Sequence, residues 1–214
     1  VLNTSILVEA PPKYLHAGIG DAISKPLEIV FSGKNHIWSY TNWMGKTIAE
    51  GALRVLLDQG EAAYRSNLRH IVDSAFTNVV CAIIMGIGHA SILVEEDYNS
   101  ALAHALYNAF MRIEGVQVYP HGVIVAYGVL VQCLVDEDQS HFEQLYSFYR
   151  ALALPTSLEG IGCFIEHPEL VRVIEHALQM PDCKLMGREL SVMHVFDAMR
   201  SLEDINIVSD SKAV

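Results

Sequence analysis

Residues 118–135, VYPHGVIVAYGVLVQCLV, decide the fold. After the Tyr119-Pro120 break the run carries no formal charge until Asp136-Glu137-Asp138. A second apolar run, 75–94 (AFTNVVCAIIMGIGHASILV), likewise ends in acid at Glu95-Glu96-Asp97. Neither has the Lys/Arg cluster or the aromatic belt that anchors a membrane span. Both therefore read as buried helices of a soluble α domain, because a helix that is apolar all round needs neighbours on every side.

Outward from these runs, most segments show helical periodicity separated by short breaks. The pattern predicts helices over about 20–31, 40–59, 68–89, 98–113, 121–135, 140–152, 169–180 and 190–202. Ser32-Gly33 and Gly60 read as helix stops, and Pro155-Thr156-Ser157 as a cap. Pro26 inside the first long helix is expected to kink it. Val1 to Val8 reads as a short strand running into Pro11-Pro12, and the last dozen residues as a fraying polar tail. The expected fold class is mainly α, one domain over 1–214 with a short N-terminal strand.

The chain has 214 residues, 51% of them hydrophobic, which is enough to bury a sizeable core and excludes intrinsic disorder. Fourteen basic against 25 acidic residues give a net charge of −11, which disfavours nucleic acid and anionic membrane surfaces. Cys81, Cys133, Cys163 and Cys183 form no C-x-x-C pair and sit among mostly apolar neighbours, as reduced thiols of a cytoplasmic protein would. No signal-peptide pattern is seen, and the sequence reads as beginning within a longer protein.

Ten histidines are many for this length. His36, His70, His141 and His167 lie among polar residues, and His176 and His194 sit in amphipathic helices, where hydrogen-bonded imidazoles are ordinary. Three other positions form a constellation. Asp21 follows Gly18-Ile19-Gly20, read as a turn that starts a helix, which suits either an N-cap or a ligand. His104 lies among small residues in Ala101-Leu102-Ala103-His104-Ala105, as a core imidazole or as one packed against a ligand. His121 follows Tyr119-Pro120 at the head of the apolar helix, facing water or an interhelical space. One carboxylate and two imidazoles can hold a divalent metal with an open position, although no i, i+3 or i, i+4 pair locks the set on one helix. His89, after Gly86-x-Gly88, is either a packed helix-end residue or a group facing a cavity.

Four segments, in order, carry a resemblance. Pro11 to Ala22, Ala103 to Asn108, Pro120 to Gly128 and Leu152 to Leu158 resemble motifs of the glycerol dehydrogenase branch of the iron-containing, metal-dependent alcohol dehydrogenases. The resemblance implies the C-terminal half of a dehydroquinate synthase-like architecture, a helical bundle that holds metal and substrate. It also implies an N-terminal α/β domain binding NAD or NADP, which 1–214 lacks: no Gly-rich phosphate loop follows a strand. Carried over residue by residue, the metal ligands are Asp21, His104 and His121. Lys25 stands where the iron-type enzymes have a further histidine, which favours Zn2+ over Fe2+. Tyr107 replaces a histidine frequent in glycerol enzymes, and Gly86 to Asn99 departs from their pattern, with His89 a candidate substrate hydrogen-bond donor.

The implied activity is an NAD(P)-linked oxidation of a small alcohol, polyol or hydroxy acid by a homo-oligomeric enzyme. Glycerol-1-phosphate dehydrogenase is a rival that shares the Asp/His/His set and a lysine like Lys25. A dehydroquinate synthase-like lyase resembles a glutamate-first set, against which Asp21 argues. A non-catalytic helical fragment is the rival from a different class.

Overall fold

The protein, seen in a computed structural model, is described over residues 2–183, 185 and 189–211. Its elements are α-helices joined by short turns, and no strand occurs among the described residues. The mainly α expectation holds. The N-terminal strand does not: Thr4–Leu7 forms a one-turn helix, α1, whose start is capped by the Asn3 side chain accepting from Ser5 N at 3.1 Å. A strand needs a partner ladder, and here Asn67 Nδ2 serves the local carbonyls instead, donating to Val8 O at 2.8 Å and Ala10 O at 3.2 Å.

Helix α2, Pro12–Ser32, begins eight residues before its expected start. Pro12 occupies the first helical turn, where its ring pre-sets φ and its missing N–H costs nothing. The helix passes through Gly18, Gly20 and Pro26 without ending. Gly18-Ile19-Gly20 is therefore no turn, and Asp21 is not an N-cap but a residue of the helix interior. Ile19, Ile23 and Leu27, four residues apart, are buried on one face.

Helix α3, Tyr40–Leu68, runs past the expected stop at Gly60. That glycine serves packing: a Cβ there would stand 2.8 Å from the Phe148 ring. Beyond it, Asp73 caps α4 (Ser74–Cys81) by accepting from Phe76 N at 2.8 Å. A π-helical segment, Ala82–Ile87, then leads into α5 (Gly88–Leu93).

By length and composition Ser74–Leu93 could cross a membrane, and 28% of its apolar window is buried. This is less cover than a buried helix should have. It packs chiefly on α3, with its π-helical part also touching α2 and with Phe76 and Val80 against Val8, and it leaves Ile84, Met85 and Ile92 exposed.

The other apolar run behaves as expected. Helix α7, His121–Val135, has the predicted bounds, and every residue from Gly122 to Cys133 is buried. Around it stand α2, α6 (Leu102–Phe110), α8 (Gln139–Leu152) and α10 (Val192–Ser211), with α9 (Leu170–Leu178) behind α6 and α10. Helix α10 extends to Ser211, through most of the stretch expected to fray, because Leu202 and Asn206 remain buried: Asn206 Oδ1 accepts from Thr156 Oγ1 at 2.7 Å. The final three residues lie outside the described set.

The tightest junction joins α2 to α7. A Cβ on Gly20 would stand 2.5 Å from the Gly122 carbonyl oxygen, and one on Gly122 would stand 1.9 Å from the Ala17 carbonyl oxygen. Backbone meets backbone there, so a methyl has nowhere to go. Gly122→Ala should cost about 3 kcal/mol, the upper end for overpacking, read as a lower denaturant midpoint; an unchanged midpoint would contradict the geometry.

The four cysteines are free thiols. Burial, with the Asp182 charge adding to it, pushes the Cys183 thiol up to about 12. Cys133 is raised further, again chiefly by burial and then by the charges of Asp138 and Asp136. Half-buried Cys81 should therefore react with iodoacetamide at pH 8 well before Cys133, as peptide mapping after timed alkylation will show.

Candidate metal centre

Helix α2 carries Asp21, Lys25 and Glu28 at spacings of four and three residues, so all three share one face. Opposite that face lie the first turns of α6 and α7. Because α2 and α7 touch at Gly20 and Gly122, the next residue on one helix and the preceding residue on the other, Asp21 and His121, are brought together. His121 Nε2 lies 3.0 Å from Asp21 Oδ1. His104, in the first turn of α6, presents Nε2 to the same oxygen at 3.5 Å. One donor atom from each of the three lies within 4.8 Å of the other two. The Asp21, His104 and His121 side chains are 46%, 21% and 43% exposed, so the cluster opens to solvent on one side.

The back of the site is closed by Glu28, which is fully buried. Its Oε1 accepts the backbone N–H groups of Ala101 at 2.9 Å and His104 at 3.1 Å, at the start of α6, whose own N-cap, Ala101, has no capping side chain. Its Oε2 is paired with His104 Nδ1 at 2.7 Å. Lys25 Nζ donates to the Asn99 backbone carbonyl and, at 3.2 Å, to its side-chain oxygen. Asn99 Nδ2 in turn donates to Ser91 O at 3.1 Å and Val94 O at 3.0 Å, which ties the segment before α6 to the same face of α2. The Tyr107 ring meets His121 edge-on, with centroids 4.1 Å apart.

These contacts dominate the local electrostatics. Burial alone would raise the Asp21 carboxyl, but hydrogen bonds and charge from His104 and His121 hold it well below the usual carboxylate range. For His104, burial acts downward, yet the Glu28 charge and the hydrogen bonds to Asp21 and Glu28 prevail and lift it to about 10. Glu28 is lowered: burial opposes ionisation, and the His104 charge, its hydrogen bond and the Ala101 N–H overcome it. Burial lowers the Lys25 amine, partly offset by Glu28 and Asp21.

The structure thus brings Asp21, His104 and His121 to one point. His89 is not in that cluster: it is exposed on α5, with Nδ1 against the Met85 carbonyl oxygen at 2.5 Å. Glu28 went unnoticed in the sequence, although a signal existed. It is the only acid in the run Pro26-Leu27-Glu28-Ile29-Val30-Phe31 and stands two helical turns after Asp21. Beside the cluster, Pro120 and Val123 line an open cleft of about 650 Å³ whose walls also include Lys13, His16, Arg150, Thr156 and Ser157.

No family model matches the chain. Hydroxycarboxylate dehydrogenase A of Escherichia coli K12 is 32% identical over 84% of this chain and 50% of its own length. Glycerol dehydrogenase 1 of Schizosaccharomyces pombe is 30% identical over 94% of this chain and 46% of its own. A crystal structure of glycerol dehydrogenase from Schizosaccharomyces pombe superposes with a TM-score of 0.82 at 30% identity, covering 99% of this chain and 55% of that one. The chain spans about half the length of the curated relatives it matches. With this helical architecture and these relatives, the chain belongs to the glycerol dehydrogenase branch of the iron-containing alcohol dehydrogenase family, as its C-terminal helical part.

Proposed function

We propose that this chain supplies the metal and substrate side of an NAD(P)-linked dehydrogenase acting on small polyols or hydroxy acids, with Zn2+ held by Asp21, His104 and His121. The carrying observation is the convergence of the three donors. At a tetrahedral zinc with bonds of about 2.0–2.1 Å, neighbouring ligand atoms stand about 3.3 Å apart. The Asp21 oxygen lies 3.0 Å and 3.5 Å from the two imidazole nitrogens, which brackets that span. One carboxylate and two imidazoles is also a donor set that zinc accepts, with a position left for substrate. The Lys25 amine is engaged by the Asn99 backbone and side-chain oxygens, which supports three protein ligands over four.

When bound, such an ion keeps a net positive charge and polarises an alcohol or carbonyl oxygen, while a nicotinamide carried by a preceding α/β domain exchanges the hydride. The chain's own residues hold and orient. Asp21 supplies the anionic charge, and the two imidazoles fix the direction from which substrate approaches. Lys13 and Arg150 in the adjoining cleft give a substrate carboxylate or hydroxyl a cationic wall. His89, whose Nδ1 donates to the Met85 carbonyl oxygen, is a candidate substrate-binding residue through Nε2, which in the neutral ring accepts from a substrate hydroxyl. In this reading the enzyme works as a homo-oligomer in the cytoplasm, a compartment that its four free thiols suit.

Elemental analysis should find about one zinc per chain, lost in Asp21→Ala, His104→Ala and His121→Ala while helical circular dichroism persists. Zinc retained by all three variants would refute the ligand set. Assayed with NAD in the complete protein that carries this chain, 1,2-diols and 2-hydroxy acids should outperform simple primary alcohols. A preference for ethanol would overturn the substrate class, and an unchanged rate in His89→Ala would remove that residue from the site.

A further inference from the structure

We infer that Glu28 is a positioning residue: it fixes the tautomer and the ring direction of His104, so that Nε2 is offered to the metal as a lone pair. The inference rests on the three-ligand reading above and adds to it a residue outside the ligand set. Glu28 Oε1 receives two backbone N–H groups, from Ala101 and His104, and Oε2 faces His104 Nδ1 at 2.7 Å. An ionised carboxylate has no proton to give, so each of its partners is a donor. A neutral His104 ring must therefore carry its proton on Nδ1. That leaves the Nε2 lone pair for a cation, which takes the place of the proton that Nε2 of the charged ring directs at Asp21 Oδ1, 3.5 Å away.

The arrangement also sets direction. Glu28 grips the backbone at Ala101 and His104 and the His104 side chain together, so the imidazole is indexed to the start of its own helix. Neither the ring nor the helix end can turn without breaking a charge-assisted hydrogen bond in a fully buried place. A carboxylate removed from water is tolerated here because three donors, the positive end of α6 and the nearby Lys25 ammonium all face it. Carboxylate–histidine–metal relays of this kind typically hold 10–100-fold of metal affinity.

A plain capping role and a tautomer-fixing role make different predictions for Glu28→Gln. The glutamine carbonyl oxygen can still receive the Ala101 and His104 N–H groups, so the cap survives. Its NH2 group then faces Nδ1 and requires an acceptor there, which moves the ring proton onto Nε2, the ligating atom. Zinc affinity, measured by competition with a chromophoric chelator, should fall roughly 10–100-fold in Glu28→Gln, with circular dichroism unchanged. The visible spectrum of the cobalt-substituted variant should lose the intensity of a fully ligated tetrahedral ion.

Equal zinc affinity in wild type and Glu28→Gln would overturn the role of Glu28 and leave the three ligands standing. A wild-type chain that takes up no zinc would overturn the ligand set and this inference with it. Should the variant not fold, long-range 1H–15N spectra of the unmodified zinc-loaded protein decide the matter. A protonated Nδ1 and a metal-bound Nε2 on His104 support the assignment, and a protonated Nε2 refutes it.

Discussion

The structure depends on one contact, the crossing of α2 over the head of α7 at Gly20 and Gly122. A Cβ at either position would enter the other helix's backbone, to 2.5 Å and 1.9 Å from a carbonyl oxygen. The lost side chains let the two axes approach as closely as backbone atoms allow. Everything polar in the molecule's centre is referred to that approach. Asp21 and His121 are the residues adjacent to the two glycines, so the distance between the helices becomes the distance between carboxylate and imidazole. A wider crossing would leave Asp21 reaching for His104 alone.

Around that crossing the protein accommodates a layer that hydrophobic packing would exclude. Glu28 and Ser32 are buried on α2, and Gln132 is buried on α7. Each is answered by the α6 side: Glu28 by two backbone N–H groups and an imidazole, Ser32 by the Ser100 carbonyl at 3.2 Å, Gln132 by Ala103 N at 3.3 Å. Helix α6 is thus held at its first turn by side chains of two other helices, because its own N-cap offers none. Gly128 completes the seat, since a Cβ there would stand 2.8 Å from the Ala103 carbonyl oxygen. Apolar burial gathers the helices, and the satisfied polar layer fixes their rotation.

The sequence made α7 legible to the residue because both ends are punctuated, by Pro120 and by an acidic triplet, and nothing in between competes. Glycine was where reading failed. Gly18, Gly20 and Gly60 have the local look of turns, yet each lies inside a helix, where Gly20 and Gly60 serve close approach, and a single sequence holds no local mark that separates the two uses. The strand at the N-terminus failed for a related reason: five apolar residues among the first eight are as compatible with one capped turn as with an extended segment when the partner is unknown. Asp21, His104 and His121 were reachable by donor type and by resemblance, though their meeting is a property of helix crossings. Glu28 was hidden because a lone acid in an apolar run is ordinarily solvated.

The π-helical segment at Ala82–Ile87 acts as a phase gear for helix α5. One residue more than an α-helical turn needs is stored there, and each residue is worth about 100° of rotation. The phase it sets points Ala90 and Val94 at Gly45, where a Cβ would stand 2.3 Å from Val94 Cγ2, and turns Ile92, 82% exposed, outward. Excising a single residue from that segment would leave the rod's length nearly unchanged while dialling a large side chain into a slot cut for none. The chain's length between Cys81 and Gly88 is thus a quantised variable with one admissible value.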